Sequence, residues 1–350
     1  MHSTIQINKR LIGTGYPTYI VAEISANHNQ NYNQTVELIK EAKAAGADAV
    51  KVQTYTADTM TIKSNKKYFR ISGGTPWDGK TLYDLYKEAS MPWEWQPRLK
   101  ALANELGLDF FSTAFDSVSV DFLEEMKVPV HKVASFEIVD TPLIEKMART
   151  RKPLLISTGM ASLEEIGEAV GAARKAGANQ IALLKCTSAY PASPADMHLR
   201  GISKLAETFE VPVGLSDHTL SSVVPLAAVA LGACLVEKHL THSRSIRGPD
   251  SDFSLEPSEF RDLVSSIREA EVALGQPEFC GEKEGASKAF RRSLFAVRKI
   301  RAGELFTPEN VRSIRPAGGL PPKYIYDVIG HHASRDIERG TPLRWEFVSG

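Results

Sequence analysis

The chain has 350 residues and a mass of 38.4 kDa, and its 42 Lys and Arg residues balance 42 Asp and Glu residues. This neutral balance argues against nucleic acid or an acidic membrane surface as a partner and favours a small molecule. No stretch approaches the ~20 consecutive apolar residues of a membrane span, and the N-terminus lacks the apolar core of a signal peptide. The three cysteines, Cys186, Cys234 and Cys280, are far apart, which predicts reduced thiols in a soluble, cytoplasmic protein.

A recurring sequence pattern predicts alternating strands and helices. In residues 44–53, 175–185 and 230–239 a helical pattern ends at Gly, a turn follows, and an apolar run ends on a charged residue. Glycine suits the left-handed position that ends a helix, and an apolar run without alternation suits a strand buried on both faces. The predicted strands are residues 19–24, 49–53, 109–112, 131–133, 153–157, 180–185, 211–215 and 234–237. The predicted helices are residues 32–45, 93–106, 118–126, 142–150, 163–176, 199–209, 222–231 and 257–274.

Eight strand–helix units predict an α/β fold, a (β/α)8 TIM barrel over residues 1–274, with a doubly wound open sheet as the alternative. One connection, residues 54–92, is unusually long and rich in aromatic residues and glycines. Because it leaves the carboxyl end of a barrel strand, we expect a lid or a pocket wall; a decorative subdomain is the alternative.

The C-terminal part of the chain has a different composition and pattern. Residues 275–292 are polar and contain glycine, which predicts a linker. Residues 293–350 carry short β-like runs separated by turns. They predict a small β-rich domain.

Two histidines follow consecutive predicted strands near the end of the predicted barrel. His218 comes after residues 211–215, and His239 comes after residues 234–237. Parallel strands joined by a helix place both histidines at one edge of the sheet. Two imidazoles are too few for a closed structural zinc site, so they would leave positions open for water or substrate. The alternative is that each ring is simply hydrogen-bonded at a strand end.

Four lysines lie within or next to otherwise apolar strands, where a cation is costly to bury without an anionic partner. They are Lys51, Lys132, Lys185 and Lys238. Lysines that converge with serines and threonines on one rim suit a phosphate or a carboxylate. The alternative is a set of structural ion pairs with Glu23, Glu137 and Glu237.

Ordered motifs along the whole chain resemble the sialic acid synthase family. They are E-x-x-x-N-H (23–28), K-x-Q (51–53), S-T-x-F-D (112–116), K-x-A-S-x-E (132–137), S-T-G-M (157–160), C-T-x-x-Y-P (186–191), G-L-S-D-H-T (214–219), E-K-H (237–239) and G-P-D (248–250). The tail motifs R-S-L-x-A-V (292–297), G-E-x-F-T-x-E-N-V (303–311) and R-P-A-G-G-L (315–320) are similar to the antifreeze-like (SAF, β-clip) domain attached to those enzymes.

The resemblance implies a transferase that condenses phosphoenolpyruvate with the open-chain aldehyde of an N-acetylated amino sugar and releases phosphate. It implies phosphoenolpyruvate contacts at Lys51, Thr113, Lys132, Ser135, Ser157 and Ser216. A divalent cation, Mn²⁺ first and Mg²⁺ or Co²⁺ as substitutes, would be held by His218 and His239, with Glu23, Gln53, Tyr190 and Asp250 toward the sugar. Glu137 and Ser188 complete the implied substrate-binding set, although the sialic acid branch of the family has Asn where Ser188 stands.

The implied chemistry agrees with the residue types. Enolpyruvate is a weak carbon nucleophile, so a Lewis acid must polarise the aldehyde. Lys51 and Lys132 would neutralise the phosphate and the carboxylate, and Glu23 or Asp250 would orient the attacking water or move its proton. Arg315 matches a family arginine that reaches the sugar of the partner subunit in a domain-swapped homodimer.

The aromatic residues of segment 68–89 and the sequence A-S-F-E-I (134–138) are most similar to the pseudaminic acid branch of the family. That branch uses 2,4-diacetamido-2,4,6-trideoxy-L-altrose as the acceptor. The alternatives are an N-acetylneuraminate or legionaminate synthase on the same scaffold. More distant alternatives are a Schiff-base aldolase using Lys132 or Lys185 and a non-catalytic carbohydrate-binding protein.

Overall fold

The computed structural model describes residues 4–275, 281 and 284–350, which form two compact units, Met1–Leu274 and Gly275–Gly350. The first unit begins with a hairpin, β1 (Thr4–Ile7) and β2 (Arg10–Gly13). Eight parallel strands then close into a barrel. They are β3 (Tyr19–Glu23), β4 (Ala49–Thr54), β5 (Asp109–Ala114), β6 (His131–Val133), β7 (Leu154–Ser157), β8 (Ile181–Cys186), β9 (Val213–Asp217) and β10 (Leu235–His239).

Helices connect the strands, as the sequence predicts. They are α1 (Tyr32–Ala44), α2 (Ala57–Met60), α3 (Leu82–Ala89), α4 (Gln96–Glu105), α5 (Ser117–Glu125), α6 (Thr141–Arg149), α7 (Leu163–Lys175), α8 (Gly201–Phe209), α9 (Val223–Ala230) and α10 (Pro257–Leu274). The last strand pairs with the first, from Leu235 opposite Tyr19 to His239 opposite Glu23. The TIM barrel is therefore confirmed and the open-sheet alternative is wrong. No helix in the described ranges is long and apolar enough to cross a membrane.

Five barrel strands end later than predicted, and β5, β9 and β10 do so by two residues. β9 continues to Asp217 and β10 continues to His239, and Lys238 pairs with Asp217 in the ladder between them. The apolar pattern of the sequence predicts that each strand ends near its last apolar residue. The parallel ladder extends further because charged side chains at these positions find buried partners.

The N-terminal hairpin was not predicted, and it covers the amino-terminal end of the barrel. Ile5, Ile7 and Ile12 are buried in the main hydrophobic core. The backbone N–H of Gln6 donates to Gln180 Oε1 at 2.6 Å, next to the start of β8. Asn8 Nδ2 donates to the carboxylate of Asp109, the first residue of β5, at 2.6 Å. These contacts lie at the end of the barrel opposite to the loops that follow the strands.

The long connection after β4 is ordered by its own hydrogen bonds. The Asp78 carboxylate accepts backbone N–H groups from Gly73, Gly74 and Thr75 at 3.1, 2.8 and 3.0 Å. Helix α3 ends at the loop after β3, where His28 Nε2 lies 3.1 Å from the carbonyl oxygen of Ala89. The connection is therefore held to the carboxyl end of the barrel, where we expected a lid or a pocket wall.

The second unit has its own small core and little regular structure. It contains α11 (Glu284–Ser287), α12 (Ile325–Val328) and two antiparallel pairs, β11 (Ser293–Ala296) with β12 (Val311–Ile314) and β13 (His332–Ala333) with β14 (Val348–Ser349). Gly319 lies so close to β11 that a Cβ atom there would come within 2.3 Å of the Leu294 carbonyl oxygen. The predicted linker, residues 275–292, lies partly outside the described residues, as does Cys280; Cys186 and Cys234 are free and buried.

Candidate active site

A cavity of about 370 Å³ opens at the carboxyl ends of the barrel strands. Its size is within the range of small-molecule sites, and its position is that of active sites in this fold. Most of the predicted site residues line it. They are Lys51, Gln53, Thr113, Lys132, Ser135, Glu137, Ser157, Tyr190, Ser216, His218, His239 and Asp250.

Three predicted site residues are placed differently. Glu23 lies behind the lining, where its carboxylate contacts Lys51 and accepts Gln53 Nε2 at 3.2 Å. Ser188 does not line the cavity; its hydroxyl lies where a Cβ atom on Gly159 would approach within 2.2 Å. Arg315 is exposed on the second unit, which is described by itself.

Two buried lysines form one side of the cavity. Lys51 is 3% exposed and Lys132 is 2% exposed. Lys51 Nζ donates to Thr113 Oγ1 at 3.0 Å, and Lys132 Nζ donates to Ser157 Oγ at 2.6 Å. Both ammonium groups also face Glu237 Oε1, at 3.6 and 4.0 Å. Hydroxyl groups and two cations therefore converge on one region, a composition that suits an anionic ligand.

The carboxylates behind these lysines have different proton affinities. Burial raises the pKa of Glu23 to about 7, although Lys51 opposes the shift. Burial would raise the pKa of Glu237 too, but Lys132 and Lys51 outweigh it and hold that pKa below its ordinary value. Burial lowers the pKa of Lys132. Near neutral pH Glu237 is therefore the ionised partner of the lysines, while Glu23 exchanges a proton readily.

Glu137 is a third carboxyl group with a raised pKa. It lines the cavity next to Ser135. Burial raises its pKa to about 7, and the attraction of Lys132 only partly opposes this. Its Oε2 is buried and makes no hydrogen bond to any described residue. A neutral carboxyl group at this position can donate a hydrogen bond to a bound ligand.

His218 and His239 form another side of the cavity, with ring centroids 5.3 Å apart. His218 Nδ1 lies 2.9 Å from the carbonyl oxygen of Thr187, and His239 Nδ1 lies 3.1 Å from Ser25 Oγ. The Nε2 atom of neither ring bonds to another residue in the described part of the chain. Rings held through Nδ1 present Nε2 to a metal ion, which is the usual arrangement of histidine ligands.

The two rings fit a divalent cation with an open coordination sphere. Among residues 4–275, 281 and 284–350, no group of three or more His, Cys, Asp or Glu side chains is arranged to hold a metal. A cation on His218 and His239 would therefore take its remaining ligands from water or substrate, which agrees with a catalytic site rather than a structural one.

An aromatic wall completes the cavity; the sequence predicted the long connection and Tyr190 as parts of it, but gave no sign of Phe253. Trp77, from the long connection, lies with its ring centroid 5.4 Å from that of Tyr190, and Tyr190 lies 5.1 Å from Phe253. Trp77 Nε1 donates to the carbonyl oxygen of Pro249 at 2.8 Å. The long connection is therefore a pocket wall, and the hydrogen bond fixes it next to Asp250.

The prediction that all four lysines converge on the rim is wrong for two of them. Lys238 is fully buried on the opposite face of β10, where it pairs with Asp217 and donates to the carbonyl oxygen of Thr219. Lys185 Nζ donates to the carbonyl oxygen of Cys186 at 3.0 Å and does not line the cavity. Successive residues of a strand face opposite sides.

The same alternation places Glu237 in the site, where the sequence predicts only a possible ion-pair partner. Glu237 lies two residues before His239 on β10, so both face the barrel interior. It accepts Ser216 Oγ at 3.1 Å in addition to its two lysine contacts. For Trp77 and Phe253 no comparable signal exists, because loop conformation brings them to the cavity.

Comparisons with known proteins agree with this site. Residues 38–279 match the NeuB family model, and residues 291–349 match the SAF domain model. The chain is 43% identical to the pseudaminic acid synthase of Helicobacter pylori, over 93% of this chain and 96% of that protein. It is 38% identical to the N,N'-diacetyllegionaminic acid synthase of Legionella pneumophila, over 96% of each.

A crystal structure of N-acetylneuraminic acid synthetase from Leptospira borgpetersenii, in complex with citrate, superposes with a TM-score of 0.74. The two sequences are 31% identical, and the match covers 82% of this chain and 95% of the synthetase chain. Both the sequence relatives and this structure are synthases of acidic sugars, as the motifs implied. The chain therefore belongs to the NeuB family and carries a SAF domain at its C-terminal end.

Proposed function

We propose that this chain condenses phosphoenolpyruvate with 2,4-diacetamido-2,4,6-trideoxy-L-altrose to give pseudaminate and phosphate. Family membership makes it a carbon–carbon bond-forming transferase. The observation that carries the proposal is a single cavity in which buried lysines, paired histidines and an aromatic wall face one another. Each of these three surfaces suits one part of the reaction.

The lysine side suits phosphoenolpyruvate. Lys51 and Lys132 supply the cations, and the hydroxyl groups of Thr113, Ser157 and Ser216 supply hydrogen bonds at the same strand ends. Ser135 lies at the edge of this group, where its hydroxyl accepts the backbone N–H of Gly159 at 3.1 Å. Because both lysines are buried, a bound anion gains charge-assisted hydrogen bonds that are stronger than they would be in water.

The histidine side suits the aldehyde end of the sugar. His218 and His239 would hold a divalent cation, with Mn²⁺ the first choice and Mg²⁺ or Co²⁺ as substitutes. When bound, such an ion supplies the Lewis acidity that polarises a carbonyl group. The two rings lie beside Asp250 and Tyr190 in the lining, so the aldehyde would be placed between the enol and these side chains.

The reaction also needs water at C2 of phosphoenolpyruvate. The C2–C3 double bond opens as C3 bonds to the aldehyde carbon, and the aldehyde oxygen takes up a proton to become a hydroxyl group. Water adds its oxygen to C2 and loses one proton, and phosphate leaves with the second proton as the C2 ketone forms. Asp250 lines the cavity and burial raises its pKa, so it is placed to take the proton. Glu23 lies behind Lys51 and Gln53 and orients both.

The aromatic side suits the sugar's apolar groups. A trideoxy sugar with two acetamido groups presents methyl groups where N-acetylmannosamine presents hydroxyl groups. Trp77, Tyr190 and Phe253 offer an apolar surface for these methyl groups, and Leu82 and Leu85 also line the cavity. This match favours the trideoxy sugar over a more hydroxylated one.

The activity is tested by incubating the purified protein with phosphoenolpyruvate and each candidate sugar, and measuring phosphate release. We expect the 2,4-diacetamido-2,4,6-trideoxy-L-altrose to be turned over best, with activity lost after chelation and restored by Mn²⁺. Equal or faster turnover of N-acetylmannosamine, or of the legionaminate precursor, would refute the sugar assignment. Trapping of pyruvate on the protein by borohydride, together with indifference to chelators, would indicate a Schiff-base aldolase instead.

The active assembly is proposed to be a cytoplasmic, domain-swapped homodimer in which Arg315 reaches the sugar in the partner's barrel. Arg315 is exposed in a segment anchored to β11, where the Ser293 hydroxyl contacts Pro316 O and Gly319 N at 3.0 and 2.9 Å. An exposed arginine on a firmly held loop is suited to contact another molecule.

A further inference from the structure

We propose that Ser25 is a positioning residue whose hydroxyl group links Asp250 to His239 and fixes the His239 ring with its proton on Nδ1. The inference deepens the proposed function, on which its metal-binding consequence rests. Ser25 belongs to the loop after β3, Asp250 to the loop after β10, and His239 to β10 itself. No sequence motif singled out Ser25.

The direction of each hydrogen bond follows from the number of protons available. Asp250 Oδ2 contacts both Ser25 Oγ and the backbone N–H of Ala26, the latter at 3.2 Å. An N–H group can only donate, so Oδ2 accepts from Ala26. Because an ionised Asp250 has no proton to give, the single hydroxyl proton of Ser25 points to Oδ2 as well.

The direction of the remaining hydrogen bond, between Ser25 and His239, is then fixed. Ser25 Oγ lies 3.1 Å from His239 Nδ1. Since the hydroxyl proton is used by Asp250, Nδ1 must be the donor in this contact. A neutral imidazole carries one proton, so Nε2 of His239 is left with its lone pair available to a ligand.

His218 is also held with its proton on Nδ1, but it needs no second side chain to fix the direction of its hydrogen bond. Its Nδ1 contacts the carbonyl oxygen of Thr187 at 2.9 Å, and a carbonyl oxygen can only accept. A hydroxyl group can donate or accept, so Ser25 fixes the His239 ring only because Asp250 takes its proton. The two histidines therefore depend on different kinds of partner.

The backbone of Ser25 supports a role for its side chain. Its φ angle is +43°, in the left-handed region that disfavours every residue except glycine. The side chain is 1% exposed and lies directly against the site. A glycine would fit this backbone with less strain. The advantage of serine at this position is therefore its hydroxyl group.

The test compares wild-type protein with Ser25→Gly, which removes the hydroxyl group and relieves the backbone. Long-range ¹⁵N–¹H NMR spectra of the metal-free, full-length protein report which nitrogen of each histidine ring is protonated. We expect His239 of the wild type to be protonated on Nδ1, and His239 of Ser25→Gly to show a mixture of both forms. His218 should stay protonated on Nδ1 in both proteins and serves as the internal control.

Two results would overturn the inference: a wild-type His239 protonated on Nε2, or a folded Ser25→Gly whose His239 is unchanged. If Ser25→Gly does not fold, the wild-type spectrum decides alone. Titration of the folded variant with Mn²⁺ should show affinity reduced by roughly 10- to 100-fold, as for other residues that orient a metal ligand. Because the spectra need neither sugar nor turnover, they stand even if the proposed reaction is wrong.

Discussion

Lys132 and Lys185 are both strand lysines of one barrel, yet only Lys132 faces the cavity. We expect Lys132→Met to raise the KM for phosphoenolpyruvate by roughly 10- to 100-fold, because a hydrogen bond from a charged donor to the bound anion is lost. Steady-state kinetics with varied phosphoenolpyruvate checks this. Lys185→Met is the matched control and should leave that KM unchanged. Equal effects of the two substitutions would contradict the assignment of the anion site.

Glu137 should make stability depend on pH. Its pKa in the folded chain is about 7, against 4.5 for an unperturbed glutamate, chiefly because the group is buried. Between pH 4.5 and about 7 the unfolded chain releases the Glu137 proton before the folded chain does. The free energy of unfolding therefore falls as pH rises through this range. A glutamine at position 137 does not ionise. Glu137→Gln should therefore keep free energy of unfolding that the wild type loses, at most about 3 kcal/mol.

Urea unfolding at pH 5 and pH 8 measures this effect. The wild type should lose more stability between the two pH values than Glu137→Gln does. Glu105→Gln, at an exposed position on α4, is the control and should behave as the wild type. Parallel losses in wild type and Glu137→Gln would show that Glu137 is ionised in the folded protein at neutral pH.

At the scale of elements, β10 shows how one strand serves two purposes. Glu237 and His239 face the cavity, while Lys238 faces outward and forms a fully buried ion pair with Asp217 of β9. Because Lys238 also holds the carbonyl oxygen of Thr219, this pair fixes the turn that carries His218. The reaction side of the strand thus depends on an ion pair on its other side.

The long connection after β4 should control the choice of sugar. Trp77→Ala removes the ring that packs against Tyr190, so we expect the KM for the trideoxy sugar to rise roughly 10-fold or more through lost apolar contact. The KM for phosphoenolpyruvate should change little. Tyr68→Ala, at a 77% exposed position of the same connection, is the control. A similar rise in both KM values would mean that Trp77 supports the fold of the site rather than the sugar.

What the sequence could predict differs between elements for physical reasons. The barrel and the histidine pair follow from local signals: buried apolar runs, glycines after helices, and polar residues at strand ends. Strict alternation would also have separated Lys238 from Glu237 and His239. Trp77 and Ser25 could not be placed in this way, because a long loop and a left-handed turn bring them to the cavity and neither has a periodic pattern.

At the scale of the whole molecule, the proposed exchange of Arg315 between subunits predicts complementation. At phosphoenolpyruvate concentrations far below its KM, Arg315→Ala and Lys132→Met should each be nearly inactive alone. In a mixed dimer the Arg315→Ala subunit keeps an intact barrel and receives Arg315 from its partner, so one of the two sites works. Random pairing after co-expression should then restore about a quarter of wild-type activity. Absence of any recovery in verified mixed dimers would show that Arg315 serves its own barrel or none.

The N-terminal hairpin has a consequence for the order of events in each turnover. Because β1 and β2 cover the amino-terminal end of the barrel, we expect both substrates and both products to pass through the mouth of the cavity at the other end. The anion contacts lie on the barrel strands, while Trp77 belongs to the loop at that mouth, so a bound sugar would obstruct the way in for phosphoenolpyruvate. We expect compulsory-order kinetics, in which phosphoenolpyruvate binds first. An unreactive sugar analogue should then inhibit uncompetitively against phosphoenolpyruvate, whereas competitive inhibition would imply that the sugar enters independently.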